Sequence, residues 1–383
     1  MRANSALRLE SFGGTLFDIS SGKRIYINRK EASSIKPNMD FKIDDIVFNA
    51  PFSIVAPQSA PLNGFSFADT AFIEVTRKCN LFCKHCLNNS GKELNNILTT
   101  EEIMNLIKKL SNAGIQEIRF TGGEPLLHPD IFKFIQFADE NGIRTSIGTN
   151  ATLITEEIAK KLAKAGLKQA IVSIDGTETA HDSIRGKGNF KRALEGIKNL
   201  QNNNILIRIN SVLMKNNYKD IINLMREMNS KHLPVFIRRF IESGRGNGQF
   251  SQVLSKTDYD LIREELKQEL NGKYIKGHYL NEGKVKSRIE LPFERRSCSA
   301  GQRGLVILPN GNIHTCGFLA AQGENPLGNV RDILNWSNFW CSLINTDPLK
   351  PLRQELDNYN KQTNVQPTTC LAYVAYKLKE RQK

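Results

Sequence analysis

Nowhere in the 383 residues does an apolar run approach the roughly 20 that a membrane-crossing helix needs, so a helical membrane protein is excluded. The opening stretch, MRANSALRLESFGG, lacks the charged segment, apolar core and small-residue cleavage site of a secretory signal. Together these absences predict a cytoplasmic protein with no membrane partner, in a compartment where thiols stay reduced. There is also no low-complexity tract, no fixed-period repeat and no long basic block. The net charge of +14 is therefore scattered. It suits a solvated surface or an acidic or anionic partner, and it forms no patch that points to nucleic acid. With 40% hydrophobic and 24% charged residues, the composition is that of an ordinary globular chain.

Cysteine is scarce: seven in all. In a reducing compartment that number points to metal binding or catalysis more than to disulfides. Histidine offers no alternative site, because His128, His181, His232, His278 and His314 have no metal-ligand spacing. The glycine-rich GRGNG at 244–248 lacks the strand-to-helix context of a phosphate loop.

Hydrophobic periodicity divides the chain in three. Residues 1–66 read as a small β-rich unit with a hairpin turning at Ser-Ser-Gly in LFDISSGKRIYINRK, then a linker over 51–66 rich in Pro, Ser and Gly. Residues 67–250 alternate strand and helix. AFIEV, EIRFTG, RTSIGTN, QAIVSIDG, ILIRINSVLM and LPVFIRRFIESG read as strands, separated by amphipathic helices such as TTEEIMNLIKKLSNAG. This spacing predicts an α/β fold of parallel strands, either an open sheet or a partial barrel, with function gathered at the C-terminal strand ends. Residues 251–383 are less regular, with an expected helix over 257–272 and a hairpin turning at Asn310–Gly311.

The segment RKCNLFCKHCLNN at 77–89 follows the first of these strands and holds Cys79, Cys83 and Cys86 in the spacing C-x3-C-x2-C. Thiolates suit zinc or iron–sulfur clusters. A structural zinc ion asks for four ligands, and His85, wedged between two of the cysteines, is badly placed to share one tetrahedral ion with them. A cubane has four separate irons, so three cysteines leave one corner open.

At this spacing and position the motif resembles the signature of the radical S-adenosylmethionine (SAM) superfamily, over roughly residues 70–250. The resemblance implies a partial (β/α)6 barrel, a [4Fe-4S] cluster on Cys79, Cys83 and Cys86, and SAM bound to the open iron by its amine and carboxylate. One-electron reduction then breaks a C–S bond and gives a 5′-deoxyadenosyl radical that abstracts hydrogen from the substrate. It further implies that Gly122, Gly123 and Glu124 of TGGEP contact the SAM amino group. Ser173 and Arg185 are implied as polar SAM contacts and Asn150 as a ribose contact. Ala151 stands where the related motif has glycine. His85 occupies a position beside the adenine and is read as packing. For Arg185, in HDSIRGKGNF, an exposed phosphate-binding or solvated loop is the rival reading, and Arg245 is a weaker candidate beside SAM.

Downstream, CSAGQRGLVILPNGNIHTCGF resembles the opening of a SPASM or Twitch extension, the part of related enzymes that holds auxiliary clusters. The remaining thiols cannot complete two such clusters. One auxiliary cluster on Cys298, Cys316 and Cys370 is one reading and a degenerate extension without a cluster, its hairpin kept by apolar alternation, is the other; Cys341 is read as a small buried thiol. Relatives with this extension commonly modify peptides or proteins, so the resemblance implies a peptide or protein substrate. A leader peptide held by the N-terminal unit is one form of this, and a flavodoxin or ferredoxin is the implied electron donor. A radical enzyme acting on a small metabolite is the alternative, and a zinc-stabilised binding module is the second.

Overall fold

The structure is a computed structural model that describes residues 3–61, 64–255, 257–258, 261–262, 264–265, 291, 298–362 and 370–381. Six strands alternate with helices as the sequence predicts: β7 (Thr70–Thr76), β8 (Glu117–Gly122), β9 (Arg144–Thr149), β10 (Gln169–Ser173), β11 (Leu206–Leu213) and β12 (Val235–Arg239). All are parallel, and each lies beside its predecessor in the chain. The result is a partial (β/α)6 barrel.

The intervening helices follow local rules. Helix α2 (Thr100–Asn112) starts at a capping box in which Thr99 accepts from the Glu102 amide while the Glu102 side chain takes the Thr99 amide. Its Ile103, Leu106, Ile107 and Leu110 recur at helical spacing and are buried. Each contributes about 1.5–3 kcal/mol by leaving water. On the strands, Ile73, Phe120, Ile147, Val172, Ile209 and Ile237 point into this helix-covered core. The alternate positions, among them Phe72, Glu117, Arg119, Ser173, Arg208, Asn210 and Phe236, line the other, polar face.

Two features depart from the sequence reading. Residues 51–66 are not simply a linker: Phe52–Val55 forms β6, parallel to β1 (Ser5–Glu10). Phe52 is buried with Leu7, Leu16, Ile27 and Phe48, and this short apolar anchor is masked in sequence by its Pro- and Ser-rich flanks. The N-terminal sheet is completed by β2 (Gly13–Asp18) and β3 (Arg24–Asn28), the expected hairpin, in the order β3-β2-β1-β6. The C-terminal extension also joins the barrel. Strand β13 (Gly304–Ile307) pairs parallel to β7, and the hairpin at 310–311 brings β14 (Asn312–His314) antiparallel beside it, followed by β15 (Gly328–Asn329). The expected helix over 257–272 lies largely outside the described residues, and those of it that are described are helical. Among the described residues no helix is long and apolar enough to cross a membrane.

Arginines fasten the N-terminal unit to the strand starts, the end of the barrel opposite the cysteines. Arg8 is 1% exposed, and its Nε donates to Glu10 at 2.8 Å. Its Nη1 donates to the Ala68 carbonyl at 2.8 Å and its Nη2 to Asp69 at 2.9 Å. Arg144, at the start of β9, donates to the carbonyls of Ile19 and Ser20. Burial pushes the Asp69 carboxyl up, but Arg24, Arg8 and Arg303 outweigh it and hold the group below its ordinary range. Replacing Arg8 by Met leaves two buried acids short of a cation, so Arg8→Met should destabilise the protein by about 3–5 kcal/mol in denaturant unfolding. Because the folded Asp69 is more acidic than the unfolded one, its contribution is present above the ordinary carboxylate pKa and is lost as pH falls through the depressed value. The stability difference between wild type and Arg8→Met should therefore shrink in acid.

Candidate active site

The loop after β7 carries the three cysteines. Cys83 is buried and Cys79 and Cys86 are half-buried. Each sulfur already has a donor aimed at it. Cys79 accepts from the Leu81 amide and Cys86 from the Ser90 amide, both at 3.4 Å, and Cys83 from Arg185 Nη1 at 3.7 Å. Burial pushes the Cys79 and Cys83 thiols up. Loading metal onto them therefore releases protons. The loop is clamped from the far side of the barrel. Beyond β12, Arg245 Nε donates to the Cys83 carbonyl at 3.0 Å, its amide to the Cys86 carbonyl at 3.0 Å, and its guanidinium lies 3.8 Å from the exposed Phe82 ring. Arg245 is thus a fastener of the cysteine loop.

The TGGEP turn meets the same loop. Gly123 and Glu124 donate their amides to the carbonyls of Thr76 and Lys78 at 2.8 and 2.9 Å. A Cβ at Gly122 would sit 2.1 Å from the Thr76 oxygen, and one at Gly123 2.0 Å from that of Lys78. Only glycine permits this approach. Glu124 is fully buried. It accepts from Thr149 Oγ1 and the Asn150 amide at 2.8 Å, and from the Leu126 amide at 3.3 Å. Burial outweighs these bonds and lifts its pKa to about 7. Asn150 donates in turn to Asn80 Oδ1 at 2.9 Å and accepts from Thr152. Ala151, where the related motif has glycine, holds φ at +60°.

Asp175, which the sequence reading did not single out, is the hub of the site. It is 0% exposed and accepts from His85 Nε2 at 2.8 Å, Arg185 Nε at 2.6 Å and the Val212 amide at 2.8 Å. Burial alone would push this carboxyl up; Arg185 and His85 hold it well below the ordinary range. His85 is therefore not mere packing, because a buried carboxylate needs donors and His85 supplies one. Arg185 ends helix α5 (Glu178–Arg185) rather than lying in a loop. The buried faces of Ala180, His181 and Ile184 give that helix too weak an apolar pattern to read. Ser173 closes β10, half-buried, on the same rim.

A second set of thiols meets in the extension. Cys298, Cys316 and Cys370 pack against one apolar cluster with Leu319, Leu349 and Leu371. Cys298 accepts from the Ala300 and Leu371 amides and Cys316 from those of Leu319 and Phe318. Burial, with the neighbouring thiols, raises Cys316 to about 12. Cys341 is half-buried rather than buried, on the helix Trp336–Thr346, and is not packed against that cluster.

Residues 73–228 match the model of the radical SAM superfamily. The chain is 30% identical over 281 residues to the AdoMet-dependent heme synthase of Nitratidesulfovibrio vulgaris, covering 68% of this chain and 75% of that one. The chain belongs to the radical SAM superfamily. The chain also resembles in sequence the mycofactocin maturase MftC of Mycobacterium tuberculosis, at 27% identity over 70% of this chain and 68% of that one. In fold it matches Streptococcus suis SuiB, solved with the precursor peptide SuiA, over 90% of each chain with a TM-score of 0.68 and 18% identity. Membership makes the chain an enzyme, implies SAM and a [4Fe-4S] cluster, and displaces the zinc-stabilised binding module.

The donor set fits that cluster. Among the described residues no three His, Cys, Asp or Glu side chains close on one point as a single ion requires. A cubane asks instead that each thiolate reach its own iron, and amide and guanidinium donors to sulfur suit its charge.

The raised Glu124 gives a test. Protonated Glu is favoured by the fold, so wild type should lose stability relative to Glu124→Gln as pH rises from the ordinary 4.5 through about 7, and hold a constant difference above that. Denaturation midpoints of the two proteins across pH 4–9 measure it.

Proposed function

We propose that this radical SAM enzyme modifies a peptide or protein. The observation that carries this reading is the likeness to SuiB over nine-tenths of both chains, parts outside the barrel included, in a protein solved with its precursor peptide. In this reading Cys79, Cys83 and Cys86 hold the [4Fe-4S] cluster. Gly122, Gly123, Glu124, Asn150, Ser173 and Arg185 surround SAM, with His85 beside them. Reductive cleavage of SAM to a 5′-deoxyadenosyl radical is the chemistry the bound cofactors supply.

The chain's own part is to fix geometry and keep water out. Arg245 and Asp175 immobilise the cysteine loop, while the glycine pair lets the TGGEP backbone lie against it. A leader peptide would dock by strand addition at β3 or β6, the end strands of the N-terminal sheet. These lie toward the strand starts, so a leader would be gripped away from the chemistry. A flavodoxin or ferredoxin in the cytoplasm is the proposed electron donor. Cys298, Cys316 and Cys370 are proposed to hold one auxiliary iron–sulfur cluster, because three thiols from separate stretches pack against one apolar cluster with amides aimed at two of them.

A small carboxylate-bearing metabolite is the second reading. It is favoured by the identity to the heme synthase and by the arginines on the barrel's polar face.

Anaerobic incubation with SAM and dithionite should release 5′-deoxyadenosine from wild type, and Cys83→Ala should fall to background. An unchanged yield in that variant removes Cys83 from the mechanism. Peptides encoded beside the gene should then gain a mass change; turnover of a porphyrin carboxylate with inert peptides would decide for the second reading. For the extension, Cys298→Ala/Cys316→Ala should lose about four irons per chain, and an unchanged iron count would remove the auxiliary cluster.

A further inference from the structure

Among the described residues several arginines leave a single buried nitrogen unbonded, as Arg24, Arg245 and Arg303 do, while others are fully matched. Arg8 has Glu10, Asp69 and two carbonyls, and Arg185 has Asp175 and the Cys83 sulfur. Arg208 differs in leaving two nitrogens buried and unbonded. It sits on the polar face of the barrel, half-buried, with its guanidinium 4.5 Å from the Phe236 ring centre. Its Nε and Nη2 are both buried and have no hydrogen-bond partner among the described residues. Asn210, next along the same face, likewise leaves Oδ1 buried and unpartnered. The surrounding charge is of the wrong sign. Burial, Arg119 and Arg238 together pull Arg208 down to about 9. Glu117, the acid that acts on it, is already engaged by Ser146 Oγ at 2.7 Å and Arg119 Nη2 at 3.1 Å.

The register fixes its depth. Asn210 pairs with Ser173 at the rim, and Arg208 pairs with Ile171. Arg208 therefore lies one layer, about 7 Å, beneath the rim. That is where a substrate entering the barrel would place a group remote from the reacting carbon.

We propose that Arg208 is the receptor for a carboxylate of the substrate, which its Nε and Nη2 would hold as a fork. The inference rests on the reading of this face as the substrate's seat. Those two nitrogens form one edge of the guanidinium, with parallel N–H bonds that match a carboxylate bidentately. A buried cation without such a partner opposes folding, and an oxyanion arriving from outside relieves it. The carboxylate is either an acidic side chain of a peptide or an acid group of a small molecule.

Isothermal titration into the iron-loaded, SAM-bound enzyme under nitrogen tests this. Tricarballylate should bind and its uncharged triamide should not. Arg208→Gln should weaken tricarballylate at least about tenfold, and Arg208→Lys should fall between, since it keeps the charge but loses the fork. A capped Gly-Glu-Gly tripeptide, with Gly-Gln-Gly as control, separates the sources. Binding of the tripeptide through Arg208 assigns a peptide, and binding of tricarballylate alone assigns a small polycarboxylate; both uphold the proposal. No binding to wild type, equal binding to Arg208→Gln, or tighter binding of inorganic phosphate overturns it. Release of 5′-deoxyadenosine by wild type, measured alongside, reports the radical reading alone and can fail while tricarballylate still binds.

Discussion

One buried carboxylate holds the cysteine-bearing end of this molecule together. Asp175 leaves β10, reaches the β11 backbone through the Val212 amide, and takes His85 from the cysteine loop and Arg185 from α5. Arg185 then passes that anchoring on to the Cys83 sulfur. A carboxylate with no solvent contact is stable only if each donor stays in place. The loop that presents the three thiols is thus as rigid as the charge network beneath it. Neutralising one member frees the others, which is why these residues behave as a unit rather than as independent contacts.

Around that hub, each strand end contributes a different kind of constraint. After β8 it is steric, two glycines pressed on the Thr76 and Lys78 carbonyls. After β9 it is a hydrogen-bonded chain from Glu124 through Asn150 to Asn80. After β12 it is the Arg245 clamp. The barrel gathers these from distant stretches because parallel strands all deliver their C-terminal ends to one rim.

The sequence made the barrel legible because its helices carry strong 3.6-residue patterns with caps, as in α2, and its strands are apolar runs bounded by turn residues. The cysteine triplet was legible from spacing alone. What stayed hidden was set by tertiary context. Asp175 in SIDG looks like a turn residue; only folding shows three donors converging on it. Arg208 and Asn210 alternate with Ile207 and Ile209, which reads as an ordinary outward face until closure turns that face inward. Arg8 in SALRLE hides in the same way. The four residues of β6 were obscured because composition speaks for a whole window and a short strand does not.

Strand β13 has a consequence for how the molecule is made. It covers the edge of β7, yet it is encoded more than two hundred residues later. Until residue 307 has left the ribosome, the strand that leads into the cysteine loop has a row of unpaired amides and carbonyls on that side. A chain cut before β13 would keep the strand that precedes the thiols at an open sheet edge, and only the finished chain pairs it on both sides.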